Sequence, residues 1–209
     1  MAGENISDGR WSKTKKNCIL NSRVKGTKLL AEYFANSNQK PRLIISASAV
    51  GFYVDRGEEI VDEDSKAGSG FLANVCVQWE DALKVAVEAG IRVIKVRFGT
   101  VLSKKGGVLK KKMLLPFKLG LSGVFGSGEQ YMSCVSIDDA VTMIQYVMTN
   151  DSLQGPVNFV TPNALNYRKF TKSLGQVLSR PTIFPLPAFA ARIALGEMAN
   201  ELLLSSNRV

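Results

Sequence analysis

Apolar positions along this 209-residue chain fall into two kinds of block, stripes at helical spacing and short unbroken runs. Leu20, Val24, Thr27, Ala31 and Phe34 recur at intervals of four and three, which predicts one helix over residues 12–37. Ser12 is its expected N-cap, and Asn36-Ser-Asn-Gln-Lys-Pro41 ends it. The next stretch, Arg42-Leu-Ile-Ile-Ser46-Ala-Ser48-Ala-Val-Gly51, is an apolar run that stops in small hydroxyl residues. A strand covered by helices on both faces needs such a run, and its carboxyl end is where open α/β folds place ligands. An acidic segment, Asp55 to Asp64, reads as a loop over that edge. Phe71 opens a second helix with Leu72, Val75, Cys76, Trp79, Ala82, Leu83 and Ala86 inward, and Gly90 stops it. Ile91 to Val96 is the second strand, joined to the first by a helical crossover and so parallel to it.

The remaining pattern continues the alternation. Gly99 to Gly107 reads as a turn-rich excursion, Val108 to Leu119 as a helix despite Pro116, and Gly120 to Gly128 as a glycine-dense loop. Cys134 to Ile137 is a short strand, and Asp138-Asp139 caps a helix to about Met148. Pro156 to Val160 is a strand, Tyr167 to Leu178 a helix, Pro181 to Pro187 an extended connector, and Phe189 to Leu204 one strongly apolar helix. The fold class is α/β: a Rossmann-like, doubly wound, mainly parallel sheet. It is expected to be N-terminally incomplete, with residues 1–180 as the main domain and 181–209 as a small helical appendage that ends without a closing element.

Composition narrows the chemistry. The chain has no histidine, which removes Ser-His-Asp hydrolysis, Cys-His catalysis and His-ligated zinc. Cys18, Cys76 and Cys134 are scattered and form no CxxC, so reduced thiols in a cytoplasm-like compartment are expected. No secretory signal and no membrane-length apolar stretch is visible, so no membrane partner is expected. The net charge of +9 gathers in Lys13 to Lys16, Lys104-Lys105 and Lys110 to Lys112. These clusters lack interleaved aromatics and match no nucleic-acid module, so solvated surfaces are expected there.

Three features together carry a family resemblance: the strand ending Ser46-Ala-Ser48, the segment Val96-Arg97-Phe-Gly-Thr-Val101-Leu, and Gly126-Ser-Gly128 leading to Ser136-Ile-Asp138-Asp139. They resemble the extended short-chain dehydrogenase/reductase superfamily. Ala2-Gly-Glu-Asn-Ile, Arg10-Trp11, Ser22-Arg23, Trp79-Glu80 and Leu114-Leu-Pro-Phe-Lys-Leu-Gly120 narrow it to an atypical NAD(P)-dependent, epimerase-like branch. The resemblance implies NADP, or NAD, as cofactor and an unidentified small-molecule substrate beneath the 120–128 loop. It implies Ser48 as the catalytic serine beside the nicotinamide, with Ser46 on the same strand. A small residue ending a strand is the plain alternative for Ser48. Met1, Ala2 and Gly3 are implied on the adenosine side, with Arg23 and Cys18 on the helix behind them. Gly99-Thr-Val101 is implied along the nicotinamide.

Two departures stand beside the resemblance. The Tyr-x-x-x-Lys positions hold Leu72 and Cys76, which supply neither an ionisable proton nor a cation. No glycine-rich strand-turn-helix that would cradle a pyrophosphate occurs in the 209 residues, so weak dinucleotide binding is expected. Tyr53 reads as a wall tyrosine and Cys76 as a small hydrophobe. A catalytically silent protein that self-associates through an open sheet edge is the second expectation.

Overall fold

The computed structural model describes residues 3–209. Helix α1 (Lys13–Asn36) is capped as expected, the Ser12 hydroxyl accepting from the Lys15 amide at 3.1 Å. Strand β1 (Leu43–Ala49) leads through a 3-10 turn, Val50–Phe52, into the acidic loop. The predicted second helix is two: α2 (Phe71–Asp81) and α3 (Lys84–Glu88). The break is one tightened turn, in which the Leu83 amide bonds the Glu80 carbonyl three residues back. β2 (Arg92–Phe98) follows, then β3 (Thr100–Leu102), a strand where a turn-rich excursion was expected.

A π-helical turn at Leu109–Met113 runs into α4 (Leu114–Lys118), with Pro116 in the first turn of α4. β4 (Tyr131–Met132) and β5 (Cys134–Ser136) precede α5 (Ile137–Thr149). Its cap is the Ser136 hydroxyl, and Asp138 and Asp139 sit in the first turn rather than at the cap. β6 (Gly155–Phe159), β7 (Leu165–Asn166), α6 (Tyr167–Val177) and α7 (Ala188–Leu195) complete the regular elements.

The main sheet is fully parallel with strand order β1-β2-β6. Alternate residues of its strands face two covering layers. On one side Ile44 and Val93 pack with Ala31 and Phe34 of α1 and with Leu83, Val85 and Ala86 of the α2–α3 segment. On the other, Ile94, Val96 and Phe159 pack with Met143, Ile144 and Val147 of α5. Helices on both faces of a parallel sheet make the doubly wound, Rossmann-like arrangement. β3 pairs in parallel with β5, and β4 pairs antiparallel with β7, as two small satellite sheets.

The C-terminal region differs from its expectation. Gly196, at φ +63°, ends α7, and a π-helical turn at Ala199–Leu203 replaces the second half of the predicted single helix. The last residues are not a loose end. Ser206, Asn207 and Arg208 thread between the acidic loop and β4: the Arg56 amide donates to the Ser206 carbonyl at 3.0 Å, Val61 to Arg208 at 3.0 Å, and Asn207 to Tyr131 at 3.0 Å. From the turn before this thread, Glu201 reaches α2. Its two carboxylate oxygens accept the amides of Phe71 and Leu72 at 2.9 and 2.7 Å. Gly70, the residue before α2, makes no side-chain cap, so a carboxylate from 130 positions away satisfies these donors.

Glu201→Ala is therefore expected to lower stability by about 1–2 kcal/mol, the range for loss of a helix cap carrying a favourable charge. Urea unfolding followed by far-UV circular dichroism measures it. An unchanged midpoint would mean that water replaces the carboxylate without cost.

Candidate functional site

The parallel register sets Ser48 of β1, Arg97 of β2 and Asn158 of β6 side by side, a polar rung near the carboxyl end of the sheet. The rung faces α2. Glu80, which that helix turns inward, receives Arg97 Nε and Nη2 at 2.9 Å each, one bond to each carboxylate oxygen. Both side chains are buried, and the pair has the bidentate geometry in which such bonds are strongest. The Ser48 hydroxyl donates to Glu80 Oε1 at 2.7 Å.

Arg97 Nη1 donates to the Tyr53 hydroxyl at 2.9 Å and to the Glu63 carbonyl at 3.2 Å. Tyr53 in turn donates to Asn158 Oδ1 at 2.8 Å. The guanidinium lies 3.6 Å from the centroid of the Phe52 ring, which seals it from above. Burial would depress the Arg97 guanidinium, but its bonds to Glu80 and Tyr53 hold it above its ordinary value. Burial also raises the Tyr53 phenol, against the opposing bond from Arg97. The network is closed: each charged or polar atom named has a partner.

Beside the rung, a β-carbon placed on Gly51 would lie 3.6 Å from Leu72 Cβ and 4.0 Å from Cys76 Sγ, so these two α2 residues border the end of β1. Burial, with Glu80 nearby, pushes the Cys76 thiol up to about 12. A thiol held that far above neutrality is a proton-bearing core group, neither a nucleophile nor a substitute for a lysine cation.

Arg23 of α1 lies over the Trp79 ring at 5.4 Å and donates through Nη1 to the carbonyls of Glu4 and Ile19 at 3.0 Å each. Gly3 sits against it: a β-carbon there would come within 3.2 Å of the guanidinium. Desolvation by burial lowers Arg23 from its ordinary value, with Cys76 and Glu4 opposing.

A scan of family models matches residues 1–160 to the NAD dependent epimerase/dehydratase family. An epimerase family protein of Mycobacterium bovis is 40% identical over 208 residues, an alignment covering 100% of this chain and 68% of that protein. The chain belongs to this epimerase family. It is also similar to the human epimerase family protein SDR39U1 (isoform 2), whose crystal structure was determined with NADPH. Identity there is 32%, the TM-score is 0.94, and the match covers 100% of this chain and 71% of that one. A nucleoside-diphosphate sugar epimerase from Corynebacterium glutamicum is 35% identical with a TM-score of 0.70, covering 95% of this chain and 45% of the other.

Against the family expectation, the residues sort as follows. Met1 and Ala2 fall outside the described residues. Gly3 borders the Arg23 guanidinium, and Cys76 borders the turn that follows β1 and Ser48. Ser46 lies on the same face of β1 as Ser48, half-buried. Cys18 is exposed on α1, and Val101 lies in β3 opposite Val135.

Ser48 lies beneath α2. It is 4% exposed and its proton is engaged by Glu80, so its hydroxyl anchors the rung instead of facing open space. The glycine-dense loop also has a packing reason: a β-carbon on Gly123 would come within 2.3 Å of the Phe184 carbonyl oxygen. Glu80, Arg97 and Asn158 were missed as a unit. The available signal was Arg97, a cation beside Val96 and Phe98 near the carboxyl end of a doubly covered strand, because a buried charge requires a partner.

Arg97→Met leaves the Glu80 carboxylate buried without its cation and is expected to cost about 3–5 kcal/mol. The double variant Glu80→Leu/Arg97→Met should recover much of that loss in a urea-unfolding cycle; additive losses would contradict an essential pair. For Cys76 the unfolded thiol releases its proton near 9.0 while the folded one keeps it to about 12. The unfolded state therefore gains by ionising, and stability falls as pH rises through that window. Cys76→Ala should flatten the decline, read as the difference between the two proteins in denaturant midpoints across the alkaline series.

Proposed function

We propose that this chain carries the nicotinamide-side part of a dinucleotide site and binds NADP(H) in a protein that does not use the Tyr-Lys proton machinery of ordinary epimerases. The observation that carries this reading is the match, over 100% of this chain and 71% of the other, to a relative crystallised with NADPH, combined with Leu72 and Cys76 at the end of β1.

A bound nicotinamide would supply reversible hydride exchange. The chain's own part is placement. The end of β1, with Ser46, forms the floor, held rigid by the Ser48–Glu80–Arg97 bonds. Gly3 offers backbone on the adenosine side. Among the described residues Arg23 uses only Nη1 for its bonds, which leaves Nε and Nη2 for a phosphate or ribose oxygen.

Catalysis by proton transfer is unsupported by this residue set. Leu72 has no proton to give, Cys76 holds its own too tightly, and the Tyr53 hydroxyl is enclosed at 0% exposure. This favours a protein that binds a dinucleotide without turning over a sugar nucleotide.

Titrating NADPH into the 209-residue chain, followed by nicotinamide fluorescence, tests the reading. With no pyrophosphate-cradling turn within the chain, binding is expected near a Kd of about 1 mM. Arg23→Ala should weaken it about tenfold through loss of charge-assisted bonds. Micromolar affinity would refute the weak-grip expectation, and indifference to Arg23→Ala would remove the phosphate-side assignment.

A further inference from the structure

The segment from Lys104 to Leu121 contains Lys104, Lys105, Lys110 to Lys112 and Lys118, and no acidic residue occurs between Glu88 and Glu129. Within it α4 turns Phe117 into the core and leaves Leu115 and Leu119, one turn apart, on the opposite face. Lys112 and Lys118 stand three positions to either side of Leu115, flanking it.

The apolar face continues beyond the helix. The Phe184 amide donates to the Ser122 carbonyl and the Leu186 amide to the Val124 carbonyl. Those bonds lay the Thr182–Leu186 connector alongside residues 121–126. Leu115, Leu119, Leu121, Ile183 and Phe184 are 53–69% exposed, a contiguous band of large side chains in water. Immediately before Ile183 lies a hollow of about 420 Å³, lined by Lys172, Arg180, Pro181 and Thr182 among others. The face thus joins leucines and a phenylalanine to lysines at one margin and a cation-lined hollow at the other.

We propose that this face docks the protein peripherally on an anionic phospholipid bilayer. The leucines and Phe184 would enter the headgroup–acyl boundary, with Lys118, Lys172 and Arg180 against lipid phosphates, and with Lys112 exchanging its exposed contact to Asp8, 3.3 Å away, for a lipid phosphate. Charge complementarity selects this occupant. The outward face of α5 also exposes large apolar groups, Val141, Tyr146 and Met148, yet that helix has Asp138 and Asp139 and no cation. It offers a lipid phosphate nothing. No described helix is long and apolar enough to cross a membrane, so the contact lies at the surface.

The test is co-sedimentation of the whole chain with sonicated vesicles of phosphatidylcholine alone or with about a quarter phosphatidylglycerol, in low and high salt. The chain is expected to pellet with the anionic vesicles, and high salt should release it. Lys112→Gln and Lys118→Gln should each weaken partition about fivefold. Leu115→Ser/Leu119→Ser should abolish it with an unchanged thermal melt, since both positions are exposed. Val141→Ser should pellet like the parent, and free inorganic phosphate should not compete. Failure to pellet with anionic vesicles overturns the proposal. So does a vesicle-free dimer that Leu115→Ser/Leu119→Ser dissolves, because a second copy would then cover the face.

Discussion

The Glu80–Arg97 ion pair is the constraint on which the upper half of the sheet depends. Arg97 is buried in the middle strand of a parallel sheet, and a charge cut off from water there is tolerated only with a partner of matched geometry. Glu80 provides that partner, and the demand propagates. Its carboxylate also takes the Ser48 proton, while the free edge of the guanidinium takes Tyr53 and, through it, Asn158. One buried charge therefore ties the ends of all three main strands to α2. The ladder bonds alone would leave the strand ends free to splay, because parallel pairing says nothing about where the covering helix sits.

The same helix is held at its other end by a second carboxylate. Glu201 accepts the first two amides of α2, and Glu80 leaves the last turn to meet the sheet. Leu72 and Cys76 lie between these two anchors. Their placement beside the end of β1 is thus fixed by carboxylates, one from the helix and one from the far end of the chain. This frame stands without a tyrosine or a lysine at those two positions. The frame rests on Ser48, Glu80 and Arg97, none of which needs the proton chemistry that a tyrosine and lysine would perform.

Much of this was legible from periodicity. The α1 stripe, the β1 run and the crossover to β2 each appear where their spacing places them, because helix and strand periods differ enough for apolar residues to report them. The misses have physical causes. The α2–α3 break and the π-helical turns are one-residue changes in hydrogen-bond register, which leave the apolar pattern almost intact. β3 and the C-terminal thread are stabilised by partners more than 30 residues distant, Cys134 to Ser136 for one and Arg56 to Val61 for the other. No local pattern encodes a long-range pairing.

The polar rung was legible in Ser48 but not in the partners that Ser48 meets. Ser48 stood out because a hydroxyl ends an apolar strand, yet a hydroxyl serves equally as a hydrogen-bond donor to a buried carboxylate. Only the register that sets Ser48 against Arg97 distinguishes the two uses. The surface carries the complementary lesson. The clusters Lys104-Lys105 and Lys110 to Lys112 read from the sequence as ordinary solvated charge. Leu115, Leu119 and Leu121 point outward among them, and solvation alone does not account for large apolar side chains set between cations. A charge cluster acquires meaning from the apolar groups it frames, and that relation exists only once the chain has folded.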